Sequence, residues 1–185
     1  MPDISIARLV KFIYKWVVPP DFRTQLLSLN AISKCGRYTA RTSYWRLYAI
    51  ENILRIITHS ILTIQINPNW WEVAVKRETK GSVQHRKDDY RRQPHRSNPG
   101  NHNIYYLMLS DLTKIVSVHA NLFLPIIPDI DDWIARLEEI RLPRNIVGHM
   151  NWLNNTDKTD IGFLYRDLSR LHRRLQTGGV NLIIP

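Results

Sequence analysis

The stretch YWRLYAIENILRIITHSIL, residues 44–62, decides the fold class. Its apolar positions Leu47, Ile50, Leu54, Ile57 and Ile61, continued by Ile64, recur at steps of three and four. That spacing gathers side chains on one face of a helix, whereas a half-buried strand would alternate apolar and polar residues. A helix is therefore expected from about Thr42 to Gln65, closed by Asn67 and Pro68, with its apolar face in a core. Glu51 and Arg55 lie one turn apart at its polar edge.

The same period extends in both directions. Upstream, residues 4–18 read as an amphipathic helix carrying Arg8, Lys11 and Lys15, stopped by Pro19 and Pro20. Asp21 is placed to cap a short helix reaching about Asn30. Downstream, Trp70, Trp71, Val73 and Val75 form a short apolar turn. Leu107, Leu112, Ile115, Val118 and Leu122 mark a helix over 104–122, ended by Pro125. Asp129 or Asp131 can cap the next helix, whose buried side is Trp133, Ile134, Leu137 and Ile140. A last helix is expected over 160–176, stopped at Gly178-Gly179. Nothing alternates strictly and no internal repeat is present. The expectation is an all-α bundle of four to six helices. Residues 1–40 read as an N-terminal helical appendage and 41–185 as the main domain.

Residues 76–103 interrupt the pattern with almost no core-forming side chains. From Lys76 to Arg96, eight Lys and Arg stand against three Asp and Glu, and Pro94, Pro99 and Gly100 punctuate the end. This reads as a basic loop insertion, either a solvated linker or a nucleic-acid contact through Arg86, Lys87, Arg91 and Arg92, with Tyr90 able to stack on an unpaired base.

Over the whole chain, 26 Lys and Arg face 16 Asp and Glu, a formal charge of +10. Such a balance favours polyanionic partners, nucleic acid first and an acidic membrane surface or acidic protein second. The single Cys35 excludes an intramolecular disulfide and a thiolate metal cluster. The cytoplasm is the expected compartment. No stretch reaches the ~18 uninterrupted apolar residues of a membrane span, so no membrane partner is expected.

One short motif stands behind a proline: RNIVGH, residues 144–149. With 18 Arg and 7 His in 185 residues, about 0.7 Arg-x4-His pairs arise by chance, so context must carry the reading. Asn145 adds a polar group, Ile146 and Val147 can anchor the segment, and Gly148 removes bulk beside the histidine. Pro143 is expected to break the helix, leaving backbone donors free at the start of the motif to suit a phosphate. The alternative is an ordinary helix end with a hydrogen-bonded histidine.

The motif resembles the signature of HEPN domains (higher eukaryotes and prokaryotes nucleotide-binding): arginine, a polar residue, a few spacers, histidine. Residues 44–62 look like the family's long helix. YYLMLSDLTKIV (105–116), containing Asp111, looks like a following helix. IARLEEIRLPRNIVGHMN (134–151) resembles the motif helix with its lead-in. The resemblance covers roughly residues 40–175 and leaves the first 40 residues and the basic insertion outside it. Members paired with a nucleotidyltransferase antitoxin carry a tyrosine two places after the histidine; Asn151 stands there in this chain.

The resemblance implies a metal-independent endoribonuclease without cofactor, in which the RNA 2′-hydroxyl attacks the adjacent phosphate. Histidine can move the proton and arginine can stabilise the extra phosphorane charge. Arg144 and His149 then carry the chemistry, with Asn145 and Glu51 positioning and Arg55 among the RNA contacts. Five residues on a straight helix separate two side chains by about 140°. A homodimer with the motif at its interface is therefore expected. A toxin or phage-defence role, with an antitoxin or regulatory protein as a further partner, follows from the family alone. The alternatives are a non-catalytic HEPN module that binds RNA or nucleotide, and a basic helical scaffold for an acidic protein.

Overall fold

The computed structural model describes residues 18–185, and every regular element among them is helical. The helix expected over residues 4–18 lies outside the described residues, Val18 apart. Asp21 caps only a 3-10 turn, Phe22–Thr24. Helix α1 (Leu29–Thr39) starts instead at Ser28, whose hydroxyl oxygen accepts the Ala31 N–H. It passes through a π-helical turn, Ala40–Tyr44, into α2 (Trp45–Gln65). The boundary expected after residue 40 therefore falls inside one continuous helix. By length and composition this helix, Leu29–Gln65, could cross a membrane, but 56% of its apolar window is buried inside the bundle.

The chain continues through α3 (Trp70–Ala74), α4 (Arg77–Arg91), α5 (Leu109–Val118), α6 (Ala120–Phe123), α7 (Ile130–Glu139), α8 (Arg141–Gly148) and α9 (Asn155–Thr177). Helix α2 is the centre, packed by α9, α5 and α6, while α7 bridges α5 and α8. Ile50, Ile57, Ile61 and Leu62 of α2 are buried with Leu164, Leu168, Leu171 and Leu175 of α9. Each fully buried aliphatic side chain contributes roughly 1.5–3 kcal/mol. Ile64 departs from the expected core face: it is 50% exposed, near the end of the helix.

Residues 76–103 do not form a loop throughout. Arg77–Arg91 is helix α4, anchored by buried Val83. Arg86 binds the Tyr106 carbonyl and the Asp111 carboxylate, and Lys87 binds Asn103 Oδ1. One apolar anchor leaves no periodic signal in sequence, because polar ties across the bundle hold this helix. The helix expected over 104–122 is likewise divided, into a 3-10 turn (Asn103–Tyr106), α5 and α6. Asp111 accepts the Met108 N–H at the start of α5.

Helix α9 begins earlier than expected, at Asn155, behind the N-cap Asn154, whose side-chain oxygen accepts the Asp157 N–H. It ends as the glycines require. Gly179 has φ +81, and Gly179 N–H and Val180 N–H donate to the Gln176 and Leu175 carbonyls. That reversal sends the tail back onto α2, where Ile183 N–H donates to Ser60 Oγ at 2.7 Å.

Two histidines lie inside this framework. Trp70 Nε1–H donates to His59 Nδ1, and Ile104 N–H donates to His102 Nδ1. Their rings are 4.7 Å apart. Burial lowers the His59 pKa; burial, then the charges of His59 and Lys87, lower that of His102 from 6.5 to about 4. Both folded-state values lie below the unfolded value, so the unfolded chain takes up protons first on acidification. The stability held by the neutral rings is complete above pH 6.5 and is lost as pH falls toward about 4. The expected slope from His102 is up to about 1.4 kcal/mol per pH unit. Urea midpoints measured from pH 7 to pH 4 should fall through this window. His102→Asn, whose side-chain oxygen can accept the Ile104 N–H, should flatten the fall. An unchanged profile in that variant would remove His102 as its cause.

Candidate functional site

The motif starts inside a helix. Helix α8 opens at Arg141, so Pro143 occupies its first turn, where the missing N–H is tolerated. The Arg144 N–H donates to the Ile140 carbonyl at 2.8 Å, and the His149 N–H to the Asn145 carbonyl at 2.9 Å. The free donors expected at the start of the motif are therefore absent from these two positions. The expected single motif helix is instead two, α7 and α8, meeting at Ile140.

Helix α8 ends at His149 in a Schellman turn. Met150 N–H donates to the Val147 carbonyl and Asn151 N–H to the Ile146 carbonyl. Met150 takes φ +58, a left-handed conformation that costs a non-glycine residue roughly 1–2 kcal/mol. The turn fixes the backbone that carries His149, and Asn151 Nδ2 donates to the His149 carbonyl. The His149 side chain is exposed.

Arg144 belongs to a different constellation. Its Nε donates to Glu51 Oε1 at 2.6 Å, and Arg55 Nη2 donates to Glu51 Oε2 at 3.0 Å. One carboxylate thus holds two guanidinium groups and leaves the cluster with net charge +1. Arg55 is buried, with further bonds to Asn52 Oδ1 and the Leu107 carbonyl. Its described bonds are all internal, although it also lines the pocket that Arg144 faces. Arg144 keeps 30% of its side chain exposed and lines an open pocket of about 400 Å³ with Tyr44, Tyr48, Asn52 and Met150. Gly148 serves the arginine more than the histidine: a Cβ there would stand 3.3 Å from Arg144 Nη1.

The expected catalytic set is thus divided within one chain. Glu51 and Arg144 are in contact across 93 residues, as Glu51's expected positioning role requires. His149 stands one residue beyond the pocket-lining Gly148 and shares no described hydrogen bond or ion pair with Arg144. Asn145 is half-buried, and no described side-chain bond joins it to either residue.

The expected RNA contacts also divide. Arg86 and Lys87 are spent on internal bonds. Arg91, Arg92 and Tyr90 remain on the surface, the arginines in i,i+3 pairs with Asp88 and Asp89. Exposed pairs of this kind contribute little and exchange readily for phosphate. Tyr44 and Tyr48 were not among the expected site residues, although their four-residue spacing beside Glu51 is visible in the sequence. They are 54% and 64% exposed at the pocket.

No family model, no curated protein and no solved structure matches this chain.

Proposed function

We propose that this protein is a metal-independent endoribonuclease of HEPN type whose site is completed by a second copy of the chain. The observation that carries the reading is the Arg144–Glu51 pair. A largely buried carboxylate orients an arginine toward an open pocket rimmed by two exposed tyrosines. A fixed guanidinium suits a phosphate that gains charge, and tyrosine faces suit unpaired bases. His149, exposed at the adjacent helix end, supplies the proton-transfer group to the pocket of the partner copy.

In the reaction, the ribose 2′-oxygen forms a bond to phosphorus as its proton passes to a base. The P–O5′ bond then breaks and the 5′-oxygen takes up a proton. His149 serves one of these transfers, and Arg144 offsets the phosphorane charge. The products are a 2′,3′-cyclic phosphate and a 5′-hydroxyl. A toxin or phage-defence role, held in check by an antitoxin or regulatory protein, rests on the family resemblance alone. Asn151 cannot be nucleotidylated as the tyrosine of antitoxin-paired relatives is.

Incubation of purified protein with total RNA in EDTA tests the reading. Cleavage that leaves cyclic phosphate ends is expected, and clean protein that binds RNA but never cuts it would favour the non-catalytic HEPN alternative. Light scattering should give a dimer at micromolar concentration.

The surface of α4 should contribute to binding only through its outward cations. Arg91→Gln with Arg92→Gln should reduce the salt slope of RNA binding by about 1.4 units, at ~0.7 per single-strand phosphate contact, with the melting temperature unchanged. Arg86→Gln should instead lower stability by about 1–3 kcal/mol by leaving the Tyr106 carbonyl unpaired and Asp111 with only its Met108 N–H bond. A slope indifferent to Arg91 and Arg92 would make α4 a solvated face only.

A further inference from the structure

A second recessed surface lies across α2 from the Arg144 pocket. Tyr44 and Tyr48 line the Arg144 pocket, while the neighbouring Trp45 and Arg46 line a separate open groove of about 580 Å³ between α2 and α9. The α9 wall is one helical stripe: Thr159, Gly162, Phe163, Arg166, Ser169 and Arg173. At 1.5 Å per residue this stripe is about 21 Å long.

Its lining is basic and aromatic. Arg46, Lys158, Arg166 and Arg173 line it and no carboxylate does. None of the four joins an ion pair among the described residues. Two aromatic rings stand open between these cations, Trp45 at 41% and Phe163 at 50% exposure. Each carries a guanidinium on its own wall: Arg46 lies 5.0 Å from the Trp45 ring and Arg166 lies 4.8 Å from the Phe163 ring. Trp45 is held by an edge contact to Tyr165 and by its Nε1–H bond to the Arg41 carbonyl. A Cβ added at Gly162 would meet nothing within 4 Å, so the wall beside Phe163 has room for a flat group.

We propose that this groove is a binding track for single-stranded nucleic acid, with Trp45 and Phe163 stacking on bases and Arg46, Arg166 and Arg173 holding the backbone phosphates. Aromatic platforms interleaved with cations that join no described ion pair fit an unpaired strand, which offers both base faces and phosphates. A duplex hides its base faces, and a peptide of acidic side chains alone, such as polyglutamate, offers no π-surface for Phe163. The track is separate from the Arg144 pocket and stands whether or not that pocket cleaves RNA.

Fluorescence anisotropy of the full chain with labelled twelve-residue oligonucleotides tests it. The probes are a 2′-O-methyl RNA strand, which lacks the attacking hydroxyl, a DNA strand of the same sequence, and the corresponding duplex, with polyglutamate as competitor. Both single strands should bind more tightly than the duplex, and polyglutamate should compete poorly. Preference for one strand type identifies the physiological source as RNA or DNA. Phe163→Ala and Trp45→Ala should each weaken single-strand binding by about 5- to 150-fold, while Trp45→Phe should retain most of it. Arg166→Gln with Arg173→Gln should reduce the salt slope by about 1.4 units. Circular dichroism checks that each variant is folded, and Phe163, being half exposed, is the variant least tied to packing. Folded Phe163→Ala and Trp45→Ala proteins that bind like wild type would overturn the proposal, as would equal affinity for the duplex or full displacement by polyglutamate. RNA cleavage by the Phe163→Ala variant is scored separately and reports only on the Arg144 site.

Discussion

His149→Ala should reduce RNA cleavage by about 10²- to 10⁴-fold, the usual cost of losing a general acid or base. Folding should be unaffected, because the imidazole is exposed at a helix end. Arg144→Ala should be similarly inactive. Arg144→Lys should remain severely impaired, since an ammonium cannot reproduce the Nε bond to Glu51 while presenting a fork to phosphate. The informative experiment is to mix the two inactive proteins after mild dissociation. If Arg144 of one chain works with His149 of its partner, half the dimers formed at random are heterodimers. Each heterodimer contains one intact site of two, so about a quarter of wild-type activity should return. A site built within one chain would leave the mixture dead. Wild-type rates from both single variants would remove the nuclease assignment from this motif.

Glu51→Ala should be the most destabilising change at the site. The carboxylate is 12% exposed and is the anion that holds Arg55, itself 9% exposed. Removing it strands a buried guanidinium that keeps only neutral acceptors, Asn52 Oδ1 and the Leu107 carbonyl. Breaking one partner of a buried pair costs about 3–5 kcal/mol. At roughly 2–4 °C per kcal/mol for a domain of this size, the melting temperature should fall by about 10 °C. The double variant Glu51→Leu with Arg55→Met should recover most of that loss, because two apolar side chains leave no charge to solvate. Arg144 stays solvated in both, so RNA cleavage should fall even where stability returns. A Glu51→Ala protein that melts within a degree of wild type would mean that water reaches Arg55 and the pair is not buried in effect.

The fold class was legible because helix α2 buries a continuous face: Leu47, Ile50, Leu54, Ile57 and Ile61 are all buried. The glycine stop of α9 was legible because Gly179 occupies a conformation that few other residues adopt cheaply. Helix α4 was not, since a single apolar anchor has no period. Its stability comes from Arg86 reaching Asp111 25 residues away. The motif was visible as a string, but a string does not say which side chains meet.

By itself, then, the sequence determined an all-helical chain, the central helix, the end of the last one and the excess of positive charge. These follow from local period, capping and composition, which act within a few residues. Only the tertiary structure decided that Arg144 rests on Glu51 and that Arg55 is internal. It also decided that His149 sits apart at a Schellman turn, and that Trp45 with Arg46 and Phe163 with Arg166 line one groove. Those pairings join residues tens of positions apart, and close packing of the helices, rather than any local preference, selects them.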